Sequence, residues 1–264
     1  MDPLALIDFL GFGVGEVERA FLILSRLTGL FLAAPFYSRA AGPRRVKSAL
    51  ILALTVVLFP LVDPWSGEGK GQVTSMIAAG VSEVVIGAVI GMLVHWVLVA
   101  VQVAGSLIGF QMGLSMAMVM DPTSGMQEGV LSNLLYLTVL MLFLSVGGHY
   151  LLLEGIARSF QTLPLGEGLP HAGNLLESAM KAMATMFELS LLISAPILVA
   201  TTLLYIGMGL INRASPQIQV FFLAMPVAQM VGFLIMGLTL ILFGKVMMQE
   251  MDTFFAFAFK AVGF

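Results

Sequence analysis

Between Ser75 and Phe110 the chain runs for 36 residues with Glu83 and His95 as the only ionisable side chains, and that stretch excludes most folds. An α-helix rises 1.5 Å per residue, so the run would extend roughly 54 Å, whereas roughly 20 residues suffice to cross a bilayer. Either the helix tilts strongly, or much of it packs on protein outside the lipid. Glu83, His95 and Gln102 favour the second option, because ionisable groups facing lipid are expensive. Their spacings of 12 and 7 residues do not bring all three to adjacent turns, which favours pairing with neighbouring subunits or solvent over a proton pathway. His95, beside Trp96, reads as an interface histidine.

The remaining chain has the same character. Of its 264 residues 59% are hydrophobic and 10% charged, with mean hydropathy +1.02, which points to an all-α, polytopic integral membrane protein. A net charge of −3, from 12 basic and 15 acidic residues, gives no reason to expect nucleic-acid binding. Without cysteine there is no disulfide, thiolate metal site or cysteine nucleophile, and the three histidines are scattered. No metal or other cofactor is expected. Nor is an enzyme, since the chain has no nucleophile elbow, no phosphate-cradling glycine loop and no paired carboxylates with a histidine. The opening MDPLALIDFLGF is acidic where a signal peptide needs basic residues, so it is expected to stay on the mature protein.

About six hydrophobic blocks follow one another. Residues 9–34 carry Glu16, Glu18, Arg19 and Arg26, which makes a poor lipid-facing span. A short clean block covers 48–62, and the third is the long run at 75–110. Residues 130–146 form the most conventional span, followed by a short helix and a loop through "GGHYLLLEGIARSFQTLPLGEG". The fifth block, 174–213, opens with Glu177 and Lys181 at the i, i+4 spacing of a solvated pair, and Pro196 is expected to divide it. The sixth, 218–243, contains Pro226 and leads into an amphipathic, phenylalanine-rich tail at 244–264. Arg26 and Glu188 are candidates for a functional pair, with structural charge pairing or exposure outside the bilayer the favoured reading. "INRASPQ" at 211–217 is a helix end and turn, either an orienting loop or a subunit contact. Arg39, Arg44, Arg45 and Lys47, in a loop without acids, place that loop in the cytoplasm. Alternate counting then makes 111–129 cytoplasmic as well, although it carries Asp121 and Glu128 and no basic residue. A loop buried in an assembly would escape the rule.

That stretch, "GFQMGLSMAMVMDPTSGMQEG" at 109–129, is the chemical oddity of the chain, with five methionines. Gly105, Gly109 and Gly113 fall four apart, on one face of a continuing helix, and would let another helix approach closely. Met112, Met116 and Met120 repeat at the same interval, and Pro122 obliges the helix to end by about Met120. Methionine repacks around different shapes, as a gate that seals and yields would require, and it equally serves ordinary packing. Spacing does not decide between the two.

The segment "GFQMGLSMAMVMDPTSG" resembles the signature of the FliR family of the flagellar type III export apparatus. Other pieces agree in order: "LSRLTGLFLAAPFYSRAAGPRRVKSALILAL", "VHWVLVAVQVAGSLIGFQMGLSM", "LFLSVGGHYLLLEGIARSFQTLPLG" and "INRASPQIQVFFLAMPVAQMVGFLIM". The resemblance implies a single subunit, residues 1–264, made of helical hairpins whose length lies partly on partner subunits outside the lipid. It implies FliP and FliQ as partners, with FlhB beside them, in a closed export gate of the bacterial inner membrane at the flagellar basal body. Exported unfolded polypeptides would pass through it, and membrane lipid would surround it. The family's plug loop falls on 111–129, with Leu114, Met116, Met118 and Met120 as apolar lining and Asp121 and Pro122 shaping the turn. Family members often carry phenylalanine where this chain has Met116. The competing reading is a small secondary transporter with a broken-helix site near Pro196 and Pro226.

Overall fold

A computed structural model describes residues 13–34, 43–65, 72–115, 129–168, 172–215, 222–239 and residue 253. Every regular element among them is helical: α1 (Val14–Ala33), α2 (Arg44–Leu58) with a 3-10 turn at Phe59–Leu61, α3 (Val73–Gln111), α4 (Val130–Ser145), α5 (Gly148–Thr162), α6 (Ala172–Ala214) and α7 (Phe222–Thr239). The valine- and isoleucine-rich α3 would suit a strand in water. In hydrocarbon a single segment can satisfy its own N–H and C=O groups only as a helix, and that requirement overrides propensity. Helices α3, α6 from Leu176 and α7 are long and apolar enough to cross a membrane, and α4 with α5 makes a fourth if the two form one broken span.

Two boundaries differ from the sequence reading. Helix α2 starts at Arg44, directly after Pro43, so the basic turn expected before the second block is already helical. Pro43 supplies a fixed φ where no backbone donor is needed. Helix α6 runs unbroken through Pro196, which therefore does not divide the fifth block. Two buried hydroxyls of α6 are absorbed locally: Ser194 Oγ donates to Ser190 O at 2.8 Å and Thr201 Oγ1 to Ile197 O at 2.7 Å.

The chain groups into two compact units, each interleaved in sequence: 1–95, 147–182 and 252–264 in one, 96–146 and 183–251 in the other. In the first, α1 buries Leu22, Ile23, Leu27 and Leu30 completely, and α3 contributes Ile86, Ile90 and Leu93 to the buried set. Glycines set the approach of these two helices. A Cβ on Gly29 would lie 2.0 Å from Val84 O, and one on Gly87 would lie 1.9 Å from Arg26 O, so the backbones themselves touch. In the second unit the buried set comes from the rest of α3 (Leu98, Val101, Ile108), from α4 (Leu135, Tyr136, Phe143), and from Ile197 and Ala228. Leu192, Leu203 and Leu210 of α6 and Phe222, Met230 and Leu238 of α7 are exposed, a surface that only lipid or other apolar helices can cover. The C-terminal tail at 244–264 lies outside the described residues apart from Thr253.

Candidate functional site

Helix α3 stops at Gln111, and the stop accounts for every carbonyl of its last turn. Met112 N–H donates to Ile108 O at 2.9 Å, Leu114 N–H to Gly109 O at 2.9 Å, and Gly113 N–H to Phe110 O at 3.0 Å. The last two bonds, with Gly113 at φ +75°, make a Schellman stop, whose left-handed residue favours glycine. The remaining carbonyl, of Gln111, accepts the hydroxyl of Tyr205 from α6 at 2.8 Å, and the Gln111 side-chain amide donates to Thr202 Oγ1 at 3.1 Å.

Gly113 therefore does not share a helical face with Gly105 and Gly109; it is the residue that ends the helix. The Met112 repeat is interrupted for the same reason. Gly105 does sit at a tight crossing: a Cβ there would lie 2.6 Å from Ser132 Cα of α4. Ser132 Oγ donates to Gln102 O at 2.7 Å and lies 3.1 Å from Ser106 Oγ, which ties α4 to α3 at that point. Gly109 has more room. A Cβ there would lie 3.7 Å from Ser115 Oγ and 3.9 Å from Leu131 Cβ, both ordinary contacts. Ser115, four residues beyond the end of α3, and Leu131, the second residue of α4, thus both stand beside the same glycine. Leu114 is half-buried, whereas Met116, Met118, Met120, Asp121 and Pro122 lie outside the described residues.

Methionines on both sides seat this turn against α7. Met112 is fully buried, and a Cβ on Gly232 would lie 2.6 Å from its sulfur. Reciprocally, a Cβ on Gly113 would lie 2.8 Å from Met225 Cε. Each glycine notch receives the methionine of the other segment.

The first unit holds a second polar cluster. Arg26 is completely buried, forms an ion pair with Glu83, donates to Ser159 Oγ at 3.1 Å and to Leu163 O at 2.9 Å, and lies 4.2 Å over the Phe160 ring. The other Glu83 oxygen accepts Gly166 N–H at 3.0 Å. Gly166, at φ +76°, faces Trp65 so closely that a Cβ would lie 2.2 Å from Trp65 Nε1. The partner of Arg26 is Glu83, not Glu188, which is exposed, so the functional Arg26–Glu188 pair is not formed and the favoured structural reading holds. Glu83 likewise turns inward to its own chain rather than to a neighbour or solvent, because a buried arginine needs a charge within reach. Arg19 makes a similar polar anchor at the end of α2, donating to Val62 O with its guanidinium 4.4 Å from the Phe59 ring.

Reading the sequence alone missed Tyr205, Thr202, Met225 and Gly232, which lie some ninety residues or more from the turn they hold. It also passed over the Gly87 and Gly91 repeat, four apart like the glycines it did select. Among the described residues no group of three His, Asp or Glu side chains converges as metal ligands.

Comparison with known proteins gives this architecture its relatives. The family described as bacterial export proteins, family 1, matches residues 17–254. The flagellar biosynthetic protein FliR of Escherichia coli (strain K12) is 32% identical over 216 residues, 81% of each chain. FliR of Bacillus subtilis is 31% identical over 120 residues, a match that spans 46% of that protein. The secretion system apparatus protein SsaT of Salmonella typhimurium is 30% identical over 86 residues, 33% of either chain. A match that runs almost from end to end, on an all-helical chain with three or four candidate spans, settles the lineage: this chain belongs to the bacterial export proteins of family 1, the FliR family of flagellar type III export components.

Proposed function

We propose that the chain is a non-enzymatic subunit of the flagellar export gate in the bacterial inner membrane, and that the segment joining α3 to α4 closes the export channel. The observation that carries this reading is the common root of that segment. Ser115, just past the end of α3, and Leu131, at the start of α4, both stand beside Gly109, next to a helix stop whose carbonyls are all bonded. A short plug needs such a root, because a closure that must hold and then yield has to move about a fixed point. Leucine and methionine side chains in the segment would repack around varied polypeptides, and an apolar constriction blocks ions by excluding water.

The exposed apolar faces of α6 and α7 support assembly with other membrane subunits, which we take to be FliP and FliQ, with FlhB adjacent. Exported unfolded polypeptides are the cargo. The transporter reading loses its main support, since α6 and α7 run as continuous helices through Pro196 and Pro226 and neither offers a broken-helix site.

The test is ionic conductance of membranes carrying the assembled complex. Deleting residues 114–120 is expected to raise it well above the intact complex; unchanged conductance would remove the sealing role. Saturable binding of a small solute by the solitary chain would instead favour the transporter.

A further inference from the structure

The contacts around Gln111 carry an inference that deepens the plug reading and rests on it. Thr202 and Tyr205 stand three apart on α6, hence on one face, and both reach the same residue, one at its side chain and one at its carbonyl. Gln111 is the last helical residue of α3, and its carbonyl is the one that the Schellman stop leaves unbonded. We propose that Tyr205 and Thr202 are positioning residues which, with the Met112–Gly232 and Met225–Gly113 seats, set the point and direction from which the channel-closing segment departs.

Three features separate this arrangement from ordinary packing. The bonds converge on the helix terminus rather than on its middle, where the ladder would already satisfy the carbonyl. The seats are reciprocal, so the turn cannot shift along α7 without dislodging a methionine from a glycine notch. And the methionines are flexible, so the turn is held firmly in position while its neighbours can still repack when the segment moves.

The experiment uses the full chain assembled with its export-gate partners. Amide exchange is followed on the peptide spanning 109–115, and membrane conductance is measured beside it. Tyr205→Phe and Thr202→Val are each expected to speed exchange about fivefold, the scale of one interhelical hydrogen bond in a membrane protein. Both should raise conductance to a level below that of the 114–120 deletion, with unchanged yield of partners. Thr202→Ser, which keeps the hydroxyl, should match the unaltered complex in every readout. Unchanged exchange in both variants overturns the proposal. So does faster exchange without added conductance when the deletion leaks, and in that case the plug reading survives. If the deletion itself does not leak, the plug reading fails and the proposal falls with it. Should Tyr205→Phe fail to assemble, Thr202→Val decides, because it removes only a side-chain bond.

Discussion

Around Gly87, helix α3 meets another backbone; around Gly113 it meets methionine. The first contact has no soft component. Carbonyl oxygens occupy the places where Cβ atoms would stand, and a buried arginine beside them is bonded to a carboxylate, a serine hydroxyl and a main-chain carbonyl. The second contact is made by two unbranched side chains, Met112 along its length and Met225 chiefly at its far end, and by two hydrogen bonds shared with one helix. One long helix therefore carries a stiff region built from polar and backbone contacts and a compliant one built from thioethers. Protein that must be anchored and protein that must yield call for those two chemistries in turn.

The largest effect is expected where the stiff region loses one charge. Arg26→Met leaves Glu83 buried without its partner, a change that costs roughly 3–5 kcal/mol. It should lower the thermal midpoint of the assembled complex in detergent by many degrees. The double variant Arg26→Met with Glu83→Met should recover much of the loss, since two apolar side chains leave no unpaired charge. If the single variant is as stable as the parent, the buried pair does not hold the stiff region together.

A smaller effect separates the glycines. Gly87→Ala places a methyl group on the Arg26 carbonyl, which only a shift of backbone can relieve, at about 1–3 kcal/mol. Gly232→Ala places the same methyl group on side-chain atoms of buried Met112, which can re-rotate where a backbone cannot, and should destabilise less. Comparing the two thermal midpoints sharpens the contrast between stiff and compliant regions; equal losses would break it.

The helical architecture was largely legible because hydropathy reports what the solvent permits, and in a membrane that leaves little but helices. The excess length of α3 was legible for the same reason, and the exposed Glu177–Lys181 pair from its i, i+4 spacing. Partners were not legible. Arg26 and Glu83 stand 57 residues apart, and nothing local to either tells which acid an arginine selects. The stop at Gln111 was hidden for a related reason. Gly113 reads equally as a small residue on a helix face or as a left-handed cap, and the choice rests on Tyr205 and Met225, far along the chain. The plug candidates Met116, Met118, Met120, Asp121 and Pro122 rest on resemblance and lie outside the described residues.

The smallest expected effect belongs to Gly109, and it is the most discriminating. Its Cβ position faces Ser115 and Leu131 at ordinary contact distance, so Gly109→Ala fits without displacement. Alanine also favours a helix over glycine by up to about 1 kcal/mol, so the variant should be neutral or slightly more stable. Gly109→Leu has no such room and must push apart the two ends of the segment between α3 and α4. If those ends form the root of a plug, the leucine variant should raise membrane conductance while the proposed partners, FliP and FliQ, still co-purify. If Gly109 were instead a close contact with another subunit, as the four-residue spacing alone suggests, leucine would reduce the yield of partners. Alanine, leucine and the parent chain, measured side by side for partner yield and conductance, therefore distinguish a glycine that serves its own chain's loop from one that serves a neighbour.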